Sequence, residues 1–312
     1  MEFFKHNTKI NFMAQRKWAA LFSLILFGFS IFALLHFGLN WGLDFTGGTQ
    51  LHLTFPETAN VTEVRASLEQ AGFKDAVVIS YGTTHEVLVT LMPQQEVQAL
   101  TGEQNQEGLV ASVLKVLPTA SVKEVNFIGP QVGQELATKG ALAVVIALLG
   151  TMIYIALRFE TRFALGSTLA LIHDPLIILG VFAYFHLEFN LIALAAVLTV
   201  IGYSLNDTIV IFDRVRENFR RIRKATPFEV MNQAINQTLS RTIMTSALTL
   251  TVVLALYFLG GSMVHGFALA MIIGILVGTY SSIYVAGSFA LTLGLNRQHL
   301  LPTPKEILDD RP

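Results

Sequence analysis

Residues 201–218 read IGYSLNDTIVIFDRVREN, an apolar helical stretch that holds a carboxylate, Asp207, before its charged end begins. Burying an ionised carboxylate in hydrocarbon costs on the order of 3 kcal/mol or more, so such a group is protonated, paired or turned towards a cavity. An ionisable residue inside a membrane helix is also, by default, a candidate functional group. The stretch therefore predicts a membrane-spanning helix and makes Asp207 the first candidate for a proton-carrying group.

The composition of the whole chain is that of a membrane protein. Of its 312 residues, 53% are hydrophobic and 14% are charged, and the mean hydropathy is +0.56. These values lie outside the range of ordinary soluble domains. The chain has no cysteine, which excludes disulfide bonds, thiolate metal sites and cysteine nucleophiles.

Six apolar runs are long enough to cross a bilayer, which takes about 20 helical residues. The predicted transmembrane helices are 18–39, 136–157, 163–185, 189–212, 242–259 and 264–294. No small-residue cleavage pattern follows the first run, so we expect it to remain as an anchor and not to be removed as a signal peptide. The predicted fold class is a polytopic α-helical membrane protein with six transmembrane helices.

The basic residues predict how these helices are oriented. Lysine and arginine collect before the first helix, in the turn at 158–162 and between Arg214 and Arg241, where seven occur. Such loops stay in the cytoplasm. The polar segment 40–135 is then expected on the periplasmic side. The segments predicted to be cytoplasmic are 1–17, 213–241 and 295–312.

The segment 40–135 has the pattern of a small folded domain. Its predicted strands are 51–55, 76–82, 85–92 and 121–129, and its predicted helices are 61–71 and 106–117. This βαββαβ order is that of a ferredoxin-like α+β sandwich. The polar loop 93–108 is expected to be mobile. The order alone leaves open whether the domain is a passive cap or a moving part.

The loop 213–241 is basic in its first half and amphipathic in its second. Apolar residues recur there at helical spacing, at Phe228, Met231, Ile235 and Leu239, which predicts an interfacial helix. A solvated basic loop is the alternative. Arg241 then begins the fifth transmembrane helix, where a flanking arginine is ordinary.

Asp174 is the second carboxylate inside an apolar run. It lies twelve residues after Arg162, or roughly 18 Å of helix, and so near the middle of the membrane. Pro175 is expected to loosen the helix there, and His173 adds a titratable group. The pair is either part of a proton path or a buried polar cluster that joins helices.

The surroundings of Asp207 are predicted from helical spacing. Tyr203 shares its face, Ser204 and Thr208 are hydroxyls that can hydrogen-bond to the carboxylate, and Asn206 is a further polar neighbour. In the last helix, small residues recur at a spacing of four, which predicts close helix packing. These residues are Gly266, Ala270, Gly274 and Gly278.

No enzyme signature accompanies these features. The sequence contains no phosphate-binding loop, no HExxH motif and no zinc-type ligand set. We therefore expect a protein that is not an enzyme and has no metal or cofactor. Any energy for work would come from a transmembrane ion gradient, since one charge crossing 100 mV is worth about 2.3 kcal/mol.

Six ordered motifs resemble the SecF family of the bacterial Sec protein translocase, over residues 40–290. They are GLDFTGGTQL (42–51), GPQVGQEL (129–136), ALIHDPLI (170–177), IGYSLNDTIVIFDRVREN (201–218), LSRTIMTS (239–246) and GGSMVHGFALAMIIGILVGTYSS (260–282). The first motif contains the glycine-motif residues Gly42, Asp44, Phe45, Gly47 and Gly48. Asp207 matches the family's essential membrane aspartate, and Arg241 matches its functional arginine.

The resemblance implies a six-helix half of an RND-type assembly whose other half is SecD. Together the two would use proton flow to assist export after SecA has acted at SecYEG, in the bacterial inner membrane, with YajC as a further partner and unfolded polypeptide as the substrate. It implies no nucleic-acid partner. Two alternatives stay open: a proton-driven small-molecule exporter of the RND type, and a scaffold for translocase subunits that transports nothing.

Overall fold

The computed structural model of the chain describes residues 8–73, 76–91, 104–222 and 224–296. Its helices are α1 Arg16–His36, α2 Leu43–Thr46, α3 Val61–Gln70, α4 Gln104–Val116, α5 Pro130–Arg158, α6 Thr161–Tyr184, α7 Leu191–Arg221, α8 Pro227–Leu259, α9 Ser262–Ser281 and α10 Gly287–Thr292. Its strands are β1 Asn40–Trp41, β2 Gly48–Thr54, β3 Val77–Tyr81, β4 Thr83–Leu91, β5 Ser121–Ile128 and β6 Glu188–Phe189. A 3-10 turn, Phe12–Gln15, precedes α1, and a π-turn, Ser282–Ala286, joins α9 to α10.

The predicted number of six membrane helices is confirmed. Six helices are long and apolar enough to cross a membrane, the last of them spanning Met263–Thr292 through the π-turn. The α6 helix continues through Pro175. Asn190 begins α7, because its side chain accepts a hydrogen bond from the backbone N–H of Ala193 at 2.9 Å.

The α7 helix is the centre of the bundle. It packs against α6, α8 and α9, while α1 packs against α6. By contrast, most apolar side chains in the membrane-spanning parts of α1, α5 and α8 lie on the outer surface of this single chain. Such faces suit lipid or a partner subunit.

The region 213–241 differs from its prediction. The α7 helix continues to Arg221 and α8 already begins at Pro227, so both helices extend beyond the lengths predicted for them. Thr226 and Glu229 form a capping box, and no further glycine or proline interrupts α8 up to Leu259. Arg241 therefore lies inside α8 and does not begin it.

The apolar face of this extension packs on protein. Met231 and Ile235 are fully buried, together with Val215 and Phe219 of α7. Asn218 of α7 donates a hydrogen bond to Gln237 of α8 at 2.9 Å. The prediction of a separate interfacial helix is wrong, because this face is used to join α7 and α8 as a hairpin.

Residues before α1 are tied to the same extension. The side chain of Asn236 accepts from the backbone N–H of Ile10 at 2.9 Å and donates to its carbonyl oxygen at 2.8 Å. Asn232 accepts from the N–H of Met13 at 2.9 Å, and the Met13 side chain is fully buried. The start of α1 and the start of α8 are thus held together.

The segment between α1 and α5 contains the predicted βαββαβ order, which runs from β2 to β5. Its four strands form one antiparallel sheet in the order β3-β4-β2-β5. Leu51, Leu53, Val87 and Val89 are buried in its core with Leu68 of α3. Most of the predicted loop 93–108 lies outside the described residues, and α4 begins at Gln104.

A small parallel sheet was not predicted. In it β1, just after α1, pairs with β6, just before α7. This sheet lies at the end of the bundle from which the α+β domain emerges, which we call the domain end.

Candidate functional site

A buried polar cluster joins three membrane helices around Asp174. This carboxylate is fully buried on α6, where Oδ1 lies 2.9 Å from Nδ1 of His173. Its Oδ2 accepts hydrogen bonds from Ser204 of α7 at 2.5 Å and from Ser281 of α9 at 2.8 Å. Since ten residues separate Asp174 from the domain end of α6, the cluster lies about 15 Å deep in the bundle.

Glycines on α9 bring the helices close enough for these bonds. A Cβ placed on Gly278 would lie 3.0 Å from the Cβ of Ser204, and a Cβ on Gly274 would overlap with Val200. The backbones of α9 and α7 are therefore in direct contact on this side. The predicted packing role of the small residues is confirmed at these two positions.

Asp207 lies one helical turn beyond Ser204, on the side of the cluster away from the domain end. Its side chain is buried, and Oδ2 has no hydrogen-bond partner within the described residues. Sixteen residues separate it from Leu191, which places it about 24 Å from the domain end of α7. A buried carboxyl oxygen without a partner is costly unless the group binds a proton or water.

Arg241 is the cation that interacts electrostatically with Asp207. It lies on α8, the neighbour of α7, and its side chain is exposed within the chain. No salt bridge joins the two in the part of the chain that the structure describes. Because 18 residues, or about 27 Å of helix, follow Arg241 in α8, it lies near the boundary of a bilayer core of roughly 30 Å.

Buried polar atoms without partners are concentrated in this bundle. Among the described residues, those on α6–α10 are Ser167 Oγ, His173 Nε2, Tyr203 OH, Asp207 Oδ2, Thr242 Oγ1 and Ser288 Oγ. The α+β domain contributes none to this set. Unsatisfied groups of this kind are the sites that internal water occupies.

A second cluster lies at the domain end, where the glycine motif meets α5 and α7. Asp44 accepts a hydrogen bond from the backbone N–H of Leu191, the first residue of α7, at 2.8 Å. A carboxylate at a helix N-terminus is favoured by the free N–H groups and by the helix dipole. Phe45 stacks on Phe189 with its ring centre 6.1 Å away. The motif thus holds the start of α7.

The glycines of the motif are needed because backbones meet there. Gly47 has φ +66°, and a Cβ on it would lie 2.8 Å from Cα of Pro130. Gly48, with φ +122°, begins β2. A Cβ on Gly42 would lie 2.9 Å from Oε1 of Glu188. The α+β domain is thereby fixed to the first turns of two membrane helices.

The chain is similar to known proteins over almost its whole length. The sequence model described as protein export membrane protein SecD/SecF, C-terminal, matches residues 109–296, and that of the SecD/SecF GG motif matches residues 32–55. The protein translocase subunit SecF of Vibrio alginolyticus is 46% identical, over 97% of this chain and 95% of its own length. The chain belongs to the SecD/SecF family. The SecF subunit of Escherichia coli O157:H7 is 43% identical, over 96% of this chain and 93% of its own.

Two solved structures of SecDF share the fold. The translocon-associated SecDF of Thermus thermophilus is 38% identical with a TM-score of 0.83, over 93% of this chain. SecDF in a super-membrane-facing form is 40% identical with a TM-score of 0.66, over 92% of this chain. In both cases this chain spans 39% of the longer SecDF chain.

The SecD/SecF fold brings most of the predicted site residues together. His173, Asp174 and Ser204 share one cluster, and Thr208 is buried beside Asp207 but donates its hydroxyl to the Ser204 carbonyl. Asn206 is exposed, whereas Ser204, Asp207 and Thr208 on the same helix are buried.

Two residues of the site were missed by sequence reasoning. Ser281 is one hydroxyl among several in GTYSS (278–282), and only the packing of α9 on α6 shows that it bonds Asp174. Glu188 falls in the short gap between the predicted helices 163–185 and 189–212. The sequence feature that could have indicated it is an acidic residue two positions before Asn190, whose side chain caps α7. Among the described residues, no group of three or more histidine or acidic side chains could hold a metal ion.

Proposed function

We propose that this chain is the SecF-type subunit that couples proton movement across the bacterial inner membrane to late stages of protein export. The carrying observation is Asp207, a buried carboxyl group on a membrane helix with one oxygen unpaired and an arginine acting on it from the next helix. In this role Asp207 binds and releases the proton, and Arg241 stabilises its ionised form.

Asp174 is proposed as a supporting group of the same path. With Ser204 and Ser281 it forms a hydrogen-bonded connection between α6, α7 and α9, one turn of α7 away from Asp207. A proton on Asp207 removes its charge and changes how strongly α7 attracts Arg241 of α8. If one packing of these helices prefers the protonated form, proton flow drives the exchange between packings.

The α+β domain is proposed to be ferredoxin-like, periplasmic and the part that moves. Its βαββαβ order and its antiparallel sheet order support that fold. Its anchoring to the starts of α5 and α7 supports the coupling, because a shift of α7 is passed directly to β2. One of the two SecDF structures is named as a super-membrane-facing form, which supports a fold with more than one arrangement.

The proposed partner is SecD, because this chain spans 39% of the SecDF chains it resembles. The exposed apolar faces of α1, α5 and α8 leave surface for that contact and for lipid. SecYEG with SecA, and YajC, are proposed as further partners, and unfolded polypeptide as the substrate. The role needs no enzyme chemistry, cofactor or metal, since the proton gradient supplies the energy.

Export of a periplasmic reporter tests this function. In cells depleted of their own SecF, we expect wild type to restore export and Asp207→Asn to fail, at equal membrane abundance, because the amide cannot carry a proton. Asp213→Asn is the matched control: it makes the same change on the same helix, in an exposed aspartate paired with Arg158.

The outcome separates the alternatives. Normal export with Asp207→Asn would favour the scaffold reading and contradict proton coupling through this residue. Normal export together with altered drug tolerance would favour a small-molecule exporter. Loss of export in both Asp207→Asn and Asp213→Asn would mean that any charge loss on α7 is harmful, and the proton role would not stand.

A further inference from the structure

Glu188 is a carboxylate that none of the steps above uses. It lies in β6, between α6 and α7, and is half-buried at the domain end. Its Oε1 is 3.5 Å from Nε2 of Gln50, and the backbone N–H of Leu43 also donates to the carboxylate. The side chain thus reaches across from the start of α7 to the glycine motif and to β2.

A second carboxylate acts on it. Asp44, which caps α7, and Glu188 are close enough that the Asp44 charge acts on Glu188. Burial is the largest cause that raises the pKa of Glu188 above its ordinary value, and the like charge of Asp44 adds to it, while the hydrogen bonds from Gln50 and Leu43 oppose part of the shift. Glu188 forms no salt bridge within the described part of the chain.

The other titratable groups nearby are engaged elsewhere. His186 precedes Glu188 in the turn, and its ring packs edge-on against Phe37. On α9, the backbone at Gly266 approaches the Glu188 carbonyl, and the ring of the adjacent His265 lies 4.0 Å from that of Tyr257. Asn190 on α7 and Gln50 on β2 are uncharged. The pKa of Glu188 is therefore set by burial and by Asp44, which raise it, against the hydrogen bonds from Gln50 and Leu43, which lower it.

We propose that Glu188 is a second proton-exchanging residue of this chain, which together with Asp44 positions the first turn of α7 against the glycine motif. Protonated Glu188 places one charge, on Asp44, at the junction. Ionised Glu188 places two like charges there, and neither forms a salt bridge with a cation among residues 8–73, 76–91, 104–222 and 224–296. The inference rests on the proposed function only in that α7 is the helix that carries Asp207.

The sign of the pH dependence follows from linkage. We call the junction closed when the first turn of α7 is packed against the glycine motif, and open when it is not. A carboxyl group whose pKa is higher in the closed than in the open junction stabilises the closed one at pH values below the pKa of a free glutamate. The stabilisation is lost as the pH rises through the raised value. The junction between the α+β domain and α7 is therefore tightest where protons are abundant, and it loosens where they are scarce.

Hydrogen exchange of the purified full chain tests the inference without export. In wild type, the amides of residues 40–50 and 188–196 should exchange faster as the pH rises from 5 to 8, after correction for intrinsic rates. The increase is about tenfold for each unit by which the pKa of Glu188 differs between the closed and open junctions. In Glu188→Gln these amides should stay protected at every pH.

Two further variants sharpen the result. Asp44→Asn keeps an oxygen to cap α7 but removes the like charge, so the pH at which protection is lost should move down. Glu135→Gln, an exposed glutamate paired with Lys139 on α5, should behave as wild type. An unchanged pH profile in Glu188→Gln, or the same effect from Glu135→Gln, would overturn the inference.

This experiment is independent of the export assay. If amide exchange in Glu188→Gln no longer depends on pH while Asp207→Asn exports normally, the inference about Glu188 is supported and the proposed function is overturned. If amide exchange in Glu188→Gln keeps the pH dependence of wild type while Asp207→Asn fails to export, the inference about Glu188 is overturned and the proposed function is supported.

Discussion

Replacing Asp174 with alanine is expected to lower the melting temperature of the purified chain by on the order of 10 °C. The substitution leaves the hydroxyl of Ser204 and Nδ1 of His173 buried without their partner, and it leaves Ser281 with only its longer bond to the Gly278 carbonyl, at 3.2 Å. Each such group costs about 1–3 kcal/mol, and the removed side chain leaves a cavity in addition. The loss falls where α6, α7 and α9 meet, so the three helices should loosen together.

Asp174→Asn is the control for this prediction. Its amide oxygen can accept from both serines, and its NH₂ group can donate to His173. We therefore expect near-normal melting in detergent for Asn and a large loss for Ala. Equal melting of Ala and wild type would contradict the structural role. Export by the stable Asn variant then reports whether Asp174 also has to exchange protons.

Gly274→Ala is expected to disrupt the contact between α9 and α7. The new methyl group would overlap with Cγ2 of Val200, and its centre would lie 2.7 Å from Cγ1. Valine has few rotamers in a helix, so it cannot turn away, and overpacking of this kind costs about 1–3 kcal/mol. Because Ser204 lies one turn further along the same contact, its bond to Asp174 should weaken as well. Thermal melting and membrane abundance measure the effect.

Gly202→Ala is the matched glycine control, since a Cβ on Gly202 meets nothing within 4 Å. It should be neutral or slightly stabilising, because alanine favours a helix by about 1 kcal/mol over glycine. Adding Val200→Ala to Gly274→Ala should restore part of the lost stability, because it removes both overlapping methyl groups. A stable Gly274→Ala single variant, or no rescue by Val200→Ala, would contradict the packing.

The sequence predicts the parts of this fold that depend on local patterns. Long apolar runs locate the six membrane helices because only a helix of that length satisfies its backbone in lipid. The strands of the α+β domain follow from short β-branched runs such as HEVLVTLM at 85–92, although β2 begins at Gly48, three residues earlier than predicted. Asp174 and Asp207 stand out for the same reason, as carboxylates inside apolar runs.

Features that depend on distant contacts could not be predicted in the same way. The apolar face at Met231 and Ile235 has the period of an interfacial helix, and only the packing of α8 on α7 shows that it is buried in protein. Ser281 bonds Asp174 across 107 positions of sequence. Glu188 meets Gly42 only because β1 and β6 pair. Each of these contacts is set by tertiary packing, which a single sequence does not display.

The most direct measurement of the central claim is proton flux through the purified complex of this chain with SecD, the partner proposed for it. The complex is placed in liposomes that contain a pH-sensitive dye, and a pH gradient is imposed. We expect the proton flux of wild type and of Asp213→Asn to exceed that of empty liposomes. The proton flux of Asp207→Asn should equal that of empty liposomes. Flux through Asp207→Asn equal to that of wild type would contradict the claim that Asp207 carries the proton.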